Sequence, residues 1–132
     1  MVVKIELLGN PQTKLRPRFS RWKGRVRTYD QQSEEKNTAR WLMKAKMPFE
    51  PFECPLHVEM DFHFTRPKSV KRLFHTVKPD VDNLVKFVLD NGNGVVWIDD
   101  KQIVKITARK CYDKEAKTVI RVREADDWHS GD

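Results

Sequence analysis

Sulfur is scarce in this chain: of 132 residues only Cys54 and Cys111 are cysteine. No CxxC or mixed Cys/His spacing surrounds them, so the sequence shows no zinc site, and free thiols in a reducing compartment are expected rather than a disulfide. Long apolar runs are missing as well. No stretch approaches the roughly 18 residues that a spanning helix needs, and the first residues lack the apolar core of a secretory signal. A cytoplasmic protein without membrane contact is therefore expected. Repeats and low-complexity segments are also absent. The length fits one domain over residues 1–124, large enough for a core yet small enough that pairing with a second copy would help bury apolar surface. Residues 125–132 are expected to fray as a flexible tail.

Acidic residues are missing from one further place, the segment between Gln12 and Tyr29. It holds Lys14, Arg16, Arg18, Arg21, Lys23, Arg25 and Arg27, interleaved with Phe19, Trp22 and Tyr29. With a net charge of +7 and a pI near 9.5, the chain suits a polyanionic partner, although charge alone does not choose among DNA, RNA and a membrane surface. The 12–29 segment reads as a basic arm or hairpin turning at Lys23-Gly24. Its cations would neutralise phosphates, and its aromatics would either stack on exposed bases or tuck into the core. A second basic stretch, the 65–79 loop, carries Arg66, Lys68, Lys71, Arg72 and Lys78 around Leu73-Phe74-His75.

The regular elements follow from periodicity. Val2, Val3, Ile5, Leu7 and Leu8 make a strand-like run that Gly9-Asn10-Pro11 breaks. Asp30 is placed to cap a helix reaching about Met47, with Thr38, Trp41, Leu42 and Ala45 marking its buried side. Leu56, Val58, Met60, Phe62 and Phe64 alternate with His57, Glu59, Asp61 and His63, the period of a half-buried strand. The four polar residues read as a strand face, with Asp61 the one that could join an acidic site. Ile103–Arg109 and Thr118–Arg123 look like two strands of a hairpin joined near Asp113-Lys114.

Chemistry concentrates between Lys78 and Val104. Pro79 disfavours helix at its predecessor and is tolerated in a first turn, so a helix starts near Asp80. Val81, Leu84, Val85, Val88 and Leu89 form its apolar face, while Asp82, Lys86 and Asp90 sit four apart along one edge. A second acidic pair, Asp99-Asp100, closes the apolar run Val95-Val96-Trp97-Ile98. Carboxylates from two elements could converge there on Mg²⁺, a hard cation usually held by one or two carboxylates plus substrate phosphates. The blander uses of the same residues are helix capping for Asp80 and Asp82, a turn for Asp99-Asp100, and an i,i+4 ion pair for Lys86.

The run from Lys78 to Val104 resembles the RusA family of phage and prophage Holliday-junction resolvases. The shared pattern is D-x-D-N-x-x-K-x-x-x-D, then a short linker and an apolar run ending D-D-x-Q-[VI]-V. Here it falls on Asp80, Asp82, Asn83, Lys86, Asp90, Asp99, Asp100, Gln102, Ile103 and Val104. The resemblance implies a small homodimeric endodeoxyribonuclease that needs a divalent metal and cuts four-way DNA junctions by paired symmetric nicks, acting in DNA recombination and repair. It implies Asp80, Asp82 and Asp100 as catalytic metal ligands, Lys86 as the active-site lysine, and Asn83 and Asp99 in supporting roles.

The expectation is thus an α/β (α+β) fold, a mixed β-sheet with two principal helices. Mg²⁺ is the expected cofactor, with Mn²⁺ as its substitute and no small-molecule cofactor; the expected partners are branched DNA and a second copy of the chain. Two other readings fit the same residues: a non-cleaving DNA-binding or regulatory protein, and a nuclease of this fold acting on flaps or forks. The linker through Asn91-Gly92-Asn93-Gly94 is expected to be flexible.

Overall fold

The computed structural model describes residues 2–14, 18–22, 25–29 and 32–125, with 18–22 and 25–29 described by their backbone. The chain runs β1 (Val2–Leu8), β2 (Arg18–Trp22), β3 (Arg25–Tyr29), α1 (Ser33–Lys46), β4 (Leu56–Thr65), α2 (Val81–Gly92), a 3-10 turn (Asp100–Gln102), β5 (Ile103–Asp113) and β6 (Lys117–Glu124). This is the expected mixed α+β architecture with two helices. The arm's hairpin is present as β2 paired antiparallel with β3, Ser20 opposite Arg27 and Trp22 opposite Arg25. The Lys23-Gly24 turn, Arg16, the Asp30 cap and the tail beyond Ala125 lie outside the described residues.

The main sheet has the order β1-β6-β4-β5. β6 is antiparallel to both β1 and β4, whereas β4 and β5 run parallel. A parallel neighbour demands a crossover, and α2 supplies it. The expected β5–β6 hairpin is therefore not formed, because β4 is inserted between the two strands. β4 has the strongest claim to the middle: Leu56, Val58, Met60 and Phe62 are at most 1% exposed, and such a strand needs a partner on each side. Alternation aligns apolar rows across the sheet, Ile5 beside Ile120, Ile120 beside Met60, and Met60 beside Ala108.

Both helices cover this apolar face through Ala39 and Met43 of α1 and Leu84, Phe87 and Val88 of α2. The buried edge of α1 is thus not the expected one. Thr38 and Ala45 are exposed, Leu42 is intermediate, and Trp41 is 70% exposed. Ala39 and Met43 are four apart and fit the close approach to the sheet, which turns the bulkier Trp41 outward.

The opposite face of β4 is polar and tied to its neighbours. Asp61 accepts from Arg109 Nε (2.7 Å) and Arg121 Nη1 (3.1 Å), Glu59 pairs with Arg123, and His63 Nδ1 lies 3.2 Å from Asp113. Desolvation raises the Asp61 pKa, but the hydrogen bonds and charges of Arg109 and Arg121 outweigh it and hold the carboxyl below its usual range. Asp61 is therefore a sheet ion-pair residue and not part of the acidic site.

Candidate active site

The start of α2 is set from outside the helix. Lys110 on β5 donates through Nζ to the carbonyls of Val77 (2.8 Å) and Pro79 (2.7 Å), which fixes the chain just before Asp80. The rest of the 65–79 loop is docked on β5 as well. His75 N donates to the Lys110 carbonyl (3.2 Å), Tyr112 N to that of Leu73 (2.8 Å), and the buried His75 ring stacks on Phe64 at 3.9 Å. Burial, reinforced by the Lys110 charge, pushes the His75 pKa down. Arg66, Lys68, Lys71, Arg72 and Lys78 remain exposed on this anchored loop.

Asp80 occupies the N-cap position of α2 with extended backbone, yet its side chain makes no capping hydrogen bond. That separates it from the blander reading, in which the carboxylate serves the helix's own amides. Asp82 lies exposed in the first turn, Lys86 is exposed one turn later, and Asp90 follows a turn beyond. The row from Asp82 to Asp90 spans roughly 12 Å at 1.5 Å per residue. The partner of Asp90 is Lys14, with Nζ at 2.7 Å, so the alternative ion pair between Lys86 and Asp90 is not the one formed. Lys14, expected on DNA, is engaged by this carboxylate, and its backbone N–H donates to the Asn83 carbonyl (3.3 Å). On the other side of the arm, Gln32 Nε2 donates to the Thr13 carbonyl. Arg18, Arg21, Arg25 and Arg27 belong to β2 and β3, and Arg16 and Lys23 lie outside the described residues.

The second acidic pair is held by a linker that is far from flexible. Asn91 and Gly92 are buried, and Trp97 is 0% exposed. Trp97 Nε1 donates to Asn93 Oδ1 (2.9 Å), and Val96 N donates to the Gly92 carbonyl (2.8 Å). Phe52 clamps the same segment, donating to the Val96 carbonyl (2.8 Å) and accepting from Ile98 N (3.2 Å). A side chain at position 92 would meet the indole at 2.3 Å, which is why a glycine ends the helix there. Gln102 completes the clamp by donating to the carbonyls of Phe52 (2.7 Å) and Cys54 (3.1 Å) while accepting from Asp99 N (2.9 Å).

Asp99 caps the 3-10 turn in a reciprocal capping box with Gln102. Its carboxyl is held below the usual range by the Lys101 amide and by a hydrogen bond from Asp100. The Asp100 pKa moves up, chiefly through that same bond to Asp99, then through desolvation and the charges of Asp99 and Asp90, with a bond to Asn93 opposing. The structure gathers Asp99, Asp100 and Asp90 near one end of α2 and leaves Asp80 and Asp82 at the other, so the expected convergence of the two acidic groups on one point is not formed among the described residues: the length of α2 stands between them. Among the described residues no three His, Cys, Asp or Glu side chains form a cage for a metal ion. The donors still suit Mg²⁺, which prefers oxygen ligands and is usually held by one or two carboxylates together with water and substrate phosphate rather than by an all-protein cage.

Sequence reasoning missed Lys110, Trp97, Asn93 and Arg40. Arg40 Nη1 donates to the carbonyls of Asn91 (3.3 Å) and Asn93 (3.1 Å) from α1. For Trp97 a signal existed, since a tryptophan beside a glycine-rich turn implies a close approach; for Lys110 and Arg40 none did, because their partners are backbone carbonyls more than thirty residues away in sequence.

Among the described residues no helix is long and apolar enough to cross a membrane. Comparison with known proteins gives a family match over residues 9–123, to the family described as endodeoxyribonuclease RusA. The chain is similar to the crossover junction endodeoxyribonuclease rusA of Lactococcus phage r1t, 29% identical over 126 residues covering 92% of this chain and 95% of that protein. It is also similar to YqaN of Bacillus subtilis (strain 168), described as uncharacterized, 29% identical over 136 residues covering 92% of this chain and 96% of that one.

Proposed function

Because the chain belongs to the RusA family of endodeoxyribonucleases, we propose that it is a Mg²⁺-dependent enzyme that resolves four-way DNA junctions by paired nicks. Its setting would be cytoplasmic, in recombination and repair. The observation that carries the reading is the Asp80 carboxylate, stationed at a helix N-terminus and not used to cap it.

The proposed metal ligands are Asp80 and Asp82 at the start of α2, with Asp100, beside Asp90 near its other end, as a second and separate carboxylate position rather than part of one cage. When bound, the metal supplies water activation and stabilises the leaving oxygen during in-line displacement. The chain's own residues do the rest. The exposed Lys86, between the two acidic groups, stabilises charge building on the phosphate. Asp99, Gln102 and Asn93 orient Asp100, and Lys110 sets the backbone ahead of Asp80. The carboxylates alone would repel a phosphodiester; the cations of the 65–79 loop, on the same side as the α2 start, reverse that field.

Two nicks placed symmetrically call for two copies of the chemistry, so the proposal includes a homodimer. Its support is the uncovered beginning of the edge strand β5, where Val104 is 66% and Ile106 41% exposed, with Ile98, 54% exposed, just ahead of the 3-10 turn, an open sheet edge of the kind a second copy covers. Sedimentation of the free protein tests this part separately.

The decisive experiment is cleavage of a labelled four-way junction with Mg²⁺ and with EDTA, beside three-way, flap and linear DNA at fixed salt. Wild type should cut the four-way junction in Mg²⁺ alone, and Asp82→Asn should bind it without cutting. Cutting by the variant would remove Asp82 from the chemistry, and no cutting by wild type on any branched DNA would leave a binding protein.

A further inference from the structure

The groove beside the end of α1 offers chemistry that the acidic site does not use. It is open to solvent, offers about 890 Å³, and its lining includes Arg40, Trp41, Lys44, Phe49, Glu50 and Gly94. Its volume lies within the range of roughly 300–1,000 Å³ typical of ligand sites. Trp41 is 70% and Phe49 43% exposed, an unusual outlay of aromatic surface for a helix whose apolar edge faces elsewhere. Phe49 is braced by the buried Phe52, edge to face at 5.0 Å.

Two cations, Arg40 and Lys44, stand four apart on α1 against one acid, Glu50. The groove also abuts the acidic site. Gly94 and Val95 border it, Arg40 holds the Asn93 carbonyl (3.1 Å), and Asn93 bonds Asp100.

We propose that this groove receives an unpaired segment of DNA strand, one base stacked on the Trp41 indole and a neighbouring phosphate on Lys44. Aromatic faces recognise bases only where those bases are unstacked, which a paired duplex does not offer and a branch point does. The like-charged pair disfavours a second copy of the chain as occupant, because an isologous contact would oppose the cations of both copies. The inference rests on the nuclease reading for its placement beside a cut site, but its binding test does not.

The test measures affinity of the full-length protein for a thymidine oligomer, a linear duplex, and a four-way junction with unpaired thymines at its branch. Trp41→Ala should weaken binding to the oligomer and to the unpaired branch about tenfold, near the lower end of measured base-stacking losses. Trp41→Phe should recover most of that loss, and duplex binding should change less than twofold. Lys44→Gln should lower the slope of log affinity against log salt for the oligomer by about 0.7.

Unchanged oligomer binding in Trp41→Ala, an equal loss on duplex, or a changed sedimentation coefficient would overturn the proposal, the last by making the groove a contact between copies. A uridine oligomer preferred over the thymidine one through Trp41 would also overturn it, in favour of RNA. If wild type cuts junctions while Trp41→Ala binds the oligomer normally, only this inference fails. If the oligomer depends on Trp41 but nothing is cut, the groove stands and the nuclease reading falls.

Discussion

Replacing Gly92 by alanine tests whether the indole of Trp97 is what forces a glycine there. An added Cβ would lie 2.3 Å from Cζ2 and 2.7 Å from Cε2 and Cη2 of that ring, so something must move. The ring has little room, being 0% exposed and tethered to Asn93 at 2.9 Å. Overpacking of a filled core costs about 1–3 kcal/mol, while alanine for glycine within a helix returns at most about 1 kcal/mol. With three contacts under 3.0 Å the overpacking cost belongs in the upper part of its range, about 2–3 kcal/mol, which leaves a net loss of about 1–2 kcal/mol, at roughly 3–6 °C in Tm per kcal/mol for a chain of this size. The clashing atoms belong to the six-membered part of the indole, which phenylalanine presents differently. In a Trp97→Phe background, itself destabilised by the lost hydrogen bond and volume, Gly92→Ala should cost close to nothing. Urea unfolding of the four proteins gives the coupling, expected at about 1 kcal/mol or more. Additive losses, or a Gly92→Ala protein as stable as wild type, would refute the close-approach argument.

Asp61→Asn should cost about 1.5–3 kcal/mol at pH 7, the range for hydrogen bonds to charged groups. Because the folded-state pKa of Asp61 is depressed, its contribution is complete above the unfolded value near 3.9 and fades as pH falls through the lower folded value; the gap between wild type and variant should therefore narrow on acidification, as read by unfolding midpoints. Lys110→Met removes the two bonds ahead of Asp80 and should lower kcat for junction cleavage while leaving junction affinity within about twofold, separated by single-turnover and gel-shift assays. Replacing Arg66, Lys68, Lys71 and Arg72 together by alanine should reduce the salt slope of duplex-arm binding by up to about 3–4, with unfolding midpoints unchanged; an unaltered slope would take the loop off the DNA.

Strands with a two-residue period and the helix after Pro79 were legible because burial alone dictates them: β4 alternates as written, and Asp80 and Asp82 fall at the N-cap and in the first turn. The β5–β6 pairing was misread since local pattern finds strands but not neighbours, and β4 took the place between them through a crossover. The face of α1 was misread for a related reason. Trp41 is the most apolar-looking choice, yet the close helix-to-sheet approach favours Ala39 and Met43. The linker after Asp90 looked loose because two glycines and two asparagines usually mean a turn, and nothing local reveals that Trp97 folds back over Gly92. Of the candidate site, the motif named the acids but not their spacing, since nothing local shows that Asp99 and Asp100 return to the Asp90 end of α2 and not to Asp80; the support from Lys110 and Arg40 was hidden as well, being side chain to distant carbonyl.

The roots of the basic hairpin are stitched down on both sides, Lys14 to Asn83 and Asp90 of α2, and Gln32 to Thr13. The segment leading into the arm thus shares its footing with the helix that carries Asp82, Lys86 and Asp90, and whatever displaces the one strains the other.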